Sequence, residues 1–107
     1  MLTTFSPYGV NATVNVAVGA ASTQLNLPVI PPGSAVRLVN SGTTLVFLEF
    51  GTQAAPPVAA VATSIPMLPN TSERLMAPTG GALCITVIAP GAGTNTLYAT
   101  VGRDEKN

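Results

Sequence analysis

The sequence predicts an all-β chain, a single-domain β-sandwich or jelly-roll-like barrel of about 7–9 short strands with an extended N-terminal arm. Three observations predict it. Apolar and polar residues alternate with a period of two in several separate segments, as along half-buried strands. Ten prolines and ten glycines fall largely between those segments, where they mark turns. No window of ordinary helix length carries apolar residues at i, i+3, i+4 and i+7 without Pro, Gly or a β-branched cluster breaking it. A chain of 107 residues has room for one domain with one core.

Residues 1–11 show no alternation but hold Phe5, Pro7 and Tyr8, which reads as an arm that must dock on something to be ordered. From Ala12 the period becomes two, with Val14, Val16 and Val18 on one face and Thr13, Asn15 and Ala17 on the other. Gly19 ends that strand. Ser22 to Leu27 continues with Leu25 and Leu27 inward, and Pro28, Pro31, Pro32 and Gly33 then impose an extended crossing and a turn. Ser34 to Asn40 sets Val36 and Leu38 on one face and Arg37 and Val39 on the other. Asn40-Ser-Gly-Thr43 reads as a tight hairpin, returning through Thr44 to Phe50, a strand apolar on both faces except at Glu49 and therefore central.

Gly51 to Ser64 is rich in Pro and Ala and too small-sided to pack a core alone, so a long loop with a short strand in it is expected there. Ile65 to Leu68, Ser72 to Ala77, Ala82 to Ile88 and Asn95 to Val101 complete the strands. The domain so defined covers 12–102, and residues 103–107 read as a charged, solvated tail. An internal echo links Pro28-Val-Ile-Pro31, followed by Ser34, Arg37 and Leu38, to Pro66-Met-Leu-Pro69, followed by Ser72, Arg74 and Leu75. Duplication and a shared steric need for an extended approach to a strand both account for it.

Charge is the most restrictive part of the composition. Met1 to Gly102 contains only Arg37, Glu49, Glu73 and Arg74 as charged residues, the tail holds the other four, and the net charge is zero. A small soluble domain ordinarily carries about 25–35% charged residues on its surface. A surface of Ser, Thr, Asn, Ala and Pro leaves water at little cost, so the chain reads as one built to be covered by other protein. With no basic face, nucleic-acid binding is not expected. Every apolar run is interrupted well short of the ~18 residues a membrane span needs, so no membrane partner is expected. The N-terminus lacks the basic start and apolar stretch of a secretory signal, which makes the cytoplasm the expected place of synthesis.

Catalytic parts are sparse. There is no histidine, the one aspartate is Asp104 in the tail, and neither Glu49 nor Glu73 has an obvious partner carboxylate. General acid–base and serine or cysteine nucleophile chemistry need a positioned titrating group, so no enzyme activity, catalytic residue or small-molecule substrate is expected. Neither a zinc nor a calcium ligand set can be assembled, and no cofactor is expected. Pro90-Gly-Ala-Gly-Thr94 precedes a strand and lacks a following Lys, so it reads as a turn rather than a phosphate loop. The single Cys84, in an apolar run, is expected to be a buried free thiol. The sequons Asn11-Ala-Thr13 and Asn70-Thr-Ser72 read as turn chemistry. On the inferred hairpin, Arg37 and Glu49 share a face, either as an ion pair or as two solvated charges.

At Thr4-Phe-Ser-Pro-Tyr-Gly9, Val36-Arg-Leu-Val-Asn-Ser-Gly42, Val46-Phe-Leu-Glu-Phe-Gly51, Ile65-Pro-Met-Leu-Pro69 and Leu97-Tyr-Ala-Thr-Val-Gly102, the chain resembles small structural proteins of tailed bacteriophages, head decoration (cement) proteins above all. The likeness covers roughly residues 4–102 and rests on strand and turn patterns. It implies a non-enzymatic virion protein on the capsid exterior, assembled in the host cytoplasm, with the major capsid protein as partner. Self-association, as a homotrimer, is the accompanying expectation. Phe5, Pro7 and Tyr8 are then arm anchors, which either latch a neighbouring chain or plug their own sandwich. A head-fibre base or tail protein, or a carbohydrate- or ligand-binding β-sandwich, are the alternatives.

Overall fold

A computed structural model describes residues 3–60, 63–91 and 95–106. Among the described residues nine strands form: β1 (Thr3–Pro7), β2 (Thr13–Val18), β3 (Thr23–Asn26), β4 (Ala35–Gly42), β5 (Val46–Thr52), β6 (Ile65–Met67), β7 (Thr71–Met76), β8 (Leu83–Ile88) and β9 (Asn95–Lys106). They make two antiparallel sheets. In the five-stranded sheet β9 lies between β4 and the successive strands β1 and β2, and β7 forms the far edge. The other sheet has the order β3-β8-β5-β6.

The pairings follow one rule. β2 pairs with β9, β3 with β8, β4 with β7 and β5 with β6, all antiparallel. The chain is thus one long hairpin, with its tip between β5 and β6, wound so that the ribbon passes repeatedly from sheet to sheet. That winding is the jelly roll, the more specific of the two architectures expected. Alternation dictates the core: Val36 and Leu38 of β4, Val46 and Leu48 of β5, Ile85 and Val87 of β8, and Leu97 and Ala99 of β9 are all essentially inaccessible to solvent between the sheets. β5 is central in its sheet, as its two apolar faces predict.

Winding corrects the reading of Asn40-Ser-Gly-Thr43. β4 and β5 do not pair; the chain leaves one sheet here and enters the other. No residue of this stretch has positive φ, whereas Asn11 and Asn70, the sequon asparagines, do, at 66° and 55°. Asn40 instead buries its side chain, and Nδ2 donates to the carbonyls of Thr44 (3.1 Å), Met67 (3.4 Å) and Leu68 (3.1 Å). It therefore ties the β4–β5 crossing to the β6–β7 crossing. Gly42 is required because Asn95's side chain occupies the space its Cβ would fill. From there Asn95 Oδ1 accepts from the Thr44 amide (3.2 Å), and Nδ2 donates to Thr44 Oγ1 (2.8 Å).

The same topology removes the proposed Arg37–Glu49 pairing, since the two residues lie on outward positions of different sheets. Glu49 accepts from Ser64 Oγ (2.8 Å). It lies under residues 53–60, which fold back over the outer face of the four-stranded sheet. Pro57 sits where a Cβ on Gly51 would be, and the Ala59 amide donates to Ser22 Oγ (3.1 Å). Cys84 and Thr86 point away from the core, yet both are buried on this outer face. Burial pushes the Cys84 thiol pKa up.

Both termini differ from the expected arm and tail. Thr3–Pro7 is a strand paired with Gly102–Lys106, so residues 103–106 continue β9. The backbone groups of an extended tail and an extended arm have satisfied each other, which periodicity in side chains cannot announce. Between β1 and β2 the chain loops out, with the Tyr8 amide donating to the Val101 carbonyl (3.1 Å) and the Val101 amide to the Ala12 carbonyl (2.9 Å). Gly9 (φ 113°) and Asn11 make that loop possible, with Val10 exposed between them.

Two outcomes are expected. Asn40→Ala takes a donor from three crossing carbonyls, of which that of Leu68 keeps Thr71 Oγ1 (2.6 Å), and costs about 1–3 kcal/mol, read as a lower urea midpoint. A bulky maleimide leaves Cys84 unlabelled in native protein at pH 8 and labels it fully in urea; rapid native labelling contradicts the burial described.

Candidate functional site

The two outer faces of the roll are not equivalent. One is roofed by residues 53–60, whereas the outer face of the five-stranded sheet is exposed along β2 and β4. Alternation along β2, β4, β7 and β9 presents Asn15, Tyr98, Val39 and Ser72 in one cross-strand row and Thr13, Thr100, Arg37 and Arg74 in the next. These two rows are neutral but for the two arginines. Thr13 and Thr100 join their hydroxyls at 2.8 Å, and Tyr98 is 39% exposed.

Phe5, Pro7 and Tyr8 come to the edge of this surface and meet their own chain. Phe5 is half-buried, and its ring lies over Gly102, the position on β9 where a side chain would strike both the ring and the Ser6 carbonyl. Pro7, opposite Gly102 in the pairing, is exposed. Tyr8 keeps its ring 41% exposed and places its hydroxyl 2.7 Å from Ser34 Oγ. Ser34 Oγ spends its proton on the Pro31 carbonyl (2.6 Å), so Tyr8 is the donor. Ser34 is fully buried, and its carbonyl accepts from the Ala77 amide (2.9 Å), which makes this a fixed point of the fold.

Phe5 joins a concave feature. With Arg37, Ser72, Glu73 and Arg74 it lines a recess of about 240 Å³. A second recess of about 320 Å³ shares Arg37 and Ser72 and runs on past Val39 and Ser41 to Asn70. Together they form a groove along the β4–β7 pair. Arg37 and Arg74 are direct cross-strand partners in it. The echo was the signal for that meeting: both Pro-x-x-Pro segments carry the chain out of the four-stranded sheet, one into β4 and the other into β7. A common steric task accounts for the repeat. Among the described residues, no three His, Cys, Asp or Glu side chains group as a metal site, and no helix is long and apolar enough to cross a membrane.

No family model matches the chain, and no curated protein does. Among solved structures, PirA superposes with a TM-score of 0.57 at 14% identity, over 88% of this chain and 96% of that one. A de novo designed double-stranded β-helix gives 0.51 at 13% identity, over 83% and 96%. These likenesses show the fold alone. The coat protein of Tobacco streak virus reaches a TM-score of 0.37 at 13% identity, over 92% of this chain and 91% of the coat protein, too low to argue from.

The seat of Phe5 is testable. Gly102→Val is expected to unseat β1 while the sandwich stays folded, so chymotrypsin cuts after Phe5 and Tyr8 in the variant and spares the wild type. Equal resistance of the two proteins contradicts a seat that depends on Gly102.

Proposed function

We propose that this chain is a non-enzymatic structural protein of a tailed-phage virion, a decoration protein that binds and stabilises the assembled capsid from outside. The observation that carries the reading is the open outer face of the five-stranded sheet, polar and almost uncharged, on a body with four charged residues. Neutral hydroxyls and amides lose little on leaving water, whereas buried charges cost several kcal/mol unless paired. A rigid roll presenting such a face suits a subunit that fills gaps between capsid chains. The resemblance of Thr4–Gly9, Val36–Gly42 and Leu97–Gly102 to phage decoration proteins supports the same reading.

The partner is the major capsid protein, and the chain itself associates as a homotrimer through neutral contacts. Its action is mechanical: a patch of about 800 Å² per partner, repeated over many copies, resists internal pressure although each contact is modest. The arrangement of Phe5 and Tyr8 on their own sandwich favours the plug over the latch, since the ring over Gly102 and the bond to Ser34 are both made within one chain.

Purified heads lacking the protein test the proposal. Wild-type chain is expected to co-sediment with them and raise their thermal midpoint. Protein lacking Met1–Gly9 is expected to lose several degrees of its own midpoint while its folded fraction still binds. Failure of the intact chain to bind heads removes the decoration reading.

A further inference from the structure

The loops at one end of the roll gather an apolar surface that no described residue covers. Three of them meet there: residues 8–12 between β1 and β2, 27–34 between β3 and β4, and 77–82 between β7 and β8. Hydrogen bonds knit them together, from the Tyr8 hydroxyl to Ser34 Oγ (2.7 Å), from the Ala77 amide to the Ser34 carbonyl (2.9 Å), and both ways between Ile30 and Gly81 (3.3 and 2.7 Å). The backbone of Pro31 and Pro32 fills the space where Gly80 would carry a Cβ, so the loops also pack against each other. Yet Val10 is 93% exposed, Val29 75%, Met76, the last residue of β7, 56%, and Tyr8 41%. They are half of the large hydrophobic side chains that the described residues expose, whereas single ones scattered over a surface need no explanation. At those exposures the four present on the order of 400 Å², as much as the largest apolar patch of an ordinary monomer. With the exposed prolines and polar residues of the same loops, the end reaches roughly the 800 Å² that one partner gives to a standard interface. None of the chain's charged residues falls in 8–12, 27–34 or 76–82.

We propose that this end of the roll is the surface through which the chain binds further copies of itself. Absence of charge is what selects that occupant. A symmetry axis that joins copies through one patch brings each charge in it near its own counterpart, and such like-charge contacts are costly. This patch has no charge to oppose, so its copies meet without that penalty while their apolar side chains leave water together. Around a threefold axis three copies of the end converge, so one patch serves a trimer. The bonds between the loops fix the backbone that carries Tyr8, Val29 and Met76 before association, which lowers the entropy lost on binding. A bilayer is the less suited occupant, because these loops hold no Lys, Arg or Trp to engage its headgroup region. The inference rests on the self-association stated above and names its surface.

Sedimentation equilibrium of the full chain over a concentration series tests it, on wild type, on V29D/M76D and on A21D, which places a carboxylate at an exposed position at the other end of the roll. Wild type is expected to associate with little dependence on salt, since few charges are there to screen. V29D/M76D is expected to associate at least about tenfold more weakly, with the wild-type circular dichroism spectrum and, in dilute dissociated protein, the wild-type thermal midpoint. A21D is expected to associate as wild type does. Val10→Asp alters the most exposed of the four side chains and is expected to weaken association too, so the test stands even if the double variant misfolds. Association of V29D/M76D and V10D at wild-type strength overturns the proposal and leaves self-association to another surface. A wild type that is monomeric throughout overturns both. Equal weakening by A21D overturns the proposal, as does a monomeric wild type that floats with phosphatidylcholine vesicles when V29D/M76D does not. Dissociated V29D/M76D supports it whether or not that variant binds purified heads, so the decoration reading is judged separately.

Discussion

The constraint on which the rest of the structure depends is the satisfaction of backbone polar groups at the corners of the roll. Where the ribbon leaves one sheet for the other, its amides and carbonyls lose their ladder partners, and burying them unpaired costs about 1–3 kcal/mol each. Polar side chains supply the missing partners. Asn40 serves the β4–β5 and β6–β7 crossings together, and Asn95 holds Thr44 beside them. At the opposite corner, Gln53 Nε2 donates to the carbonyls of Leu27 and Leu83, both at 3.0 Å, and Ser34 binds the Pro31 carbonyl. These side chains are neutral, so they serve buried backbone without the desolvation cost of an ion.

That neutrality extends to the surface and gives the two outer faces different fates. The stretch from Gln53 to Ala60 is built mostly of small residues, which lets it lie flat on β5 and β8 with Pro57 against Gly51. Small side chains could not make a core of their own but make a thin roof. The other outer face carries Tyr98, Val39 and a lattice of Thr, Ser and Asn, with no described residue over most of it. Edge strands invite pairing with other chains, and here Pro66 blunts β6 and the Glu73–Arg74 pair marks β7. Both edges are thereby poor templates for another strand.

Strand alternation was fully legible in the sequence, and the inward residues of the segments beginning at Ala12, Ser22 and Ser34 are the inward residues of β2, β3 and β4. What alternation cannot encode is which sheet a strand joins. Asn40-Ser-Gly-Thr43 has the composition of a hairpin turn, but its asparagine is a buried donor and its glycine yields space to Asn95; both roles depend on residues far along the chain. The termini were illegible for a related reason. Thr3–Pro7 and Gly102–Lys106 pair through backbone, and their side chains carry no period to betray it. The candidate groove lay between the two: the echo placed Arg37 and Arg74 at like points after like segments, but only the antiparallel register of β4 and β7 makes them neighbours.

The position of β1 bears on how the open face is framed. β4 pairs with β9 only as far as Gly102, so beyond that point β9 has β1 as its sole partner among the described residues. The ribbon of β1 and the end of β9 therefore projects past the sheet, and Phe5 is the side chain that pins it back through Gly102. The same ring walls one end of the groove that holds Arg37 and Arg74. A tyrosine bonded to a buried serine and a phenylalanine resting on a glycine thus couple the order of the N-terminal strand to the shape of the surface beside it.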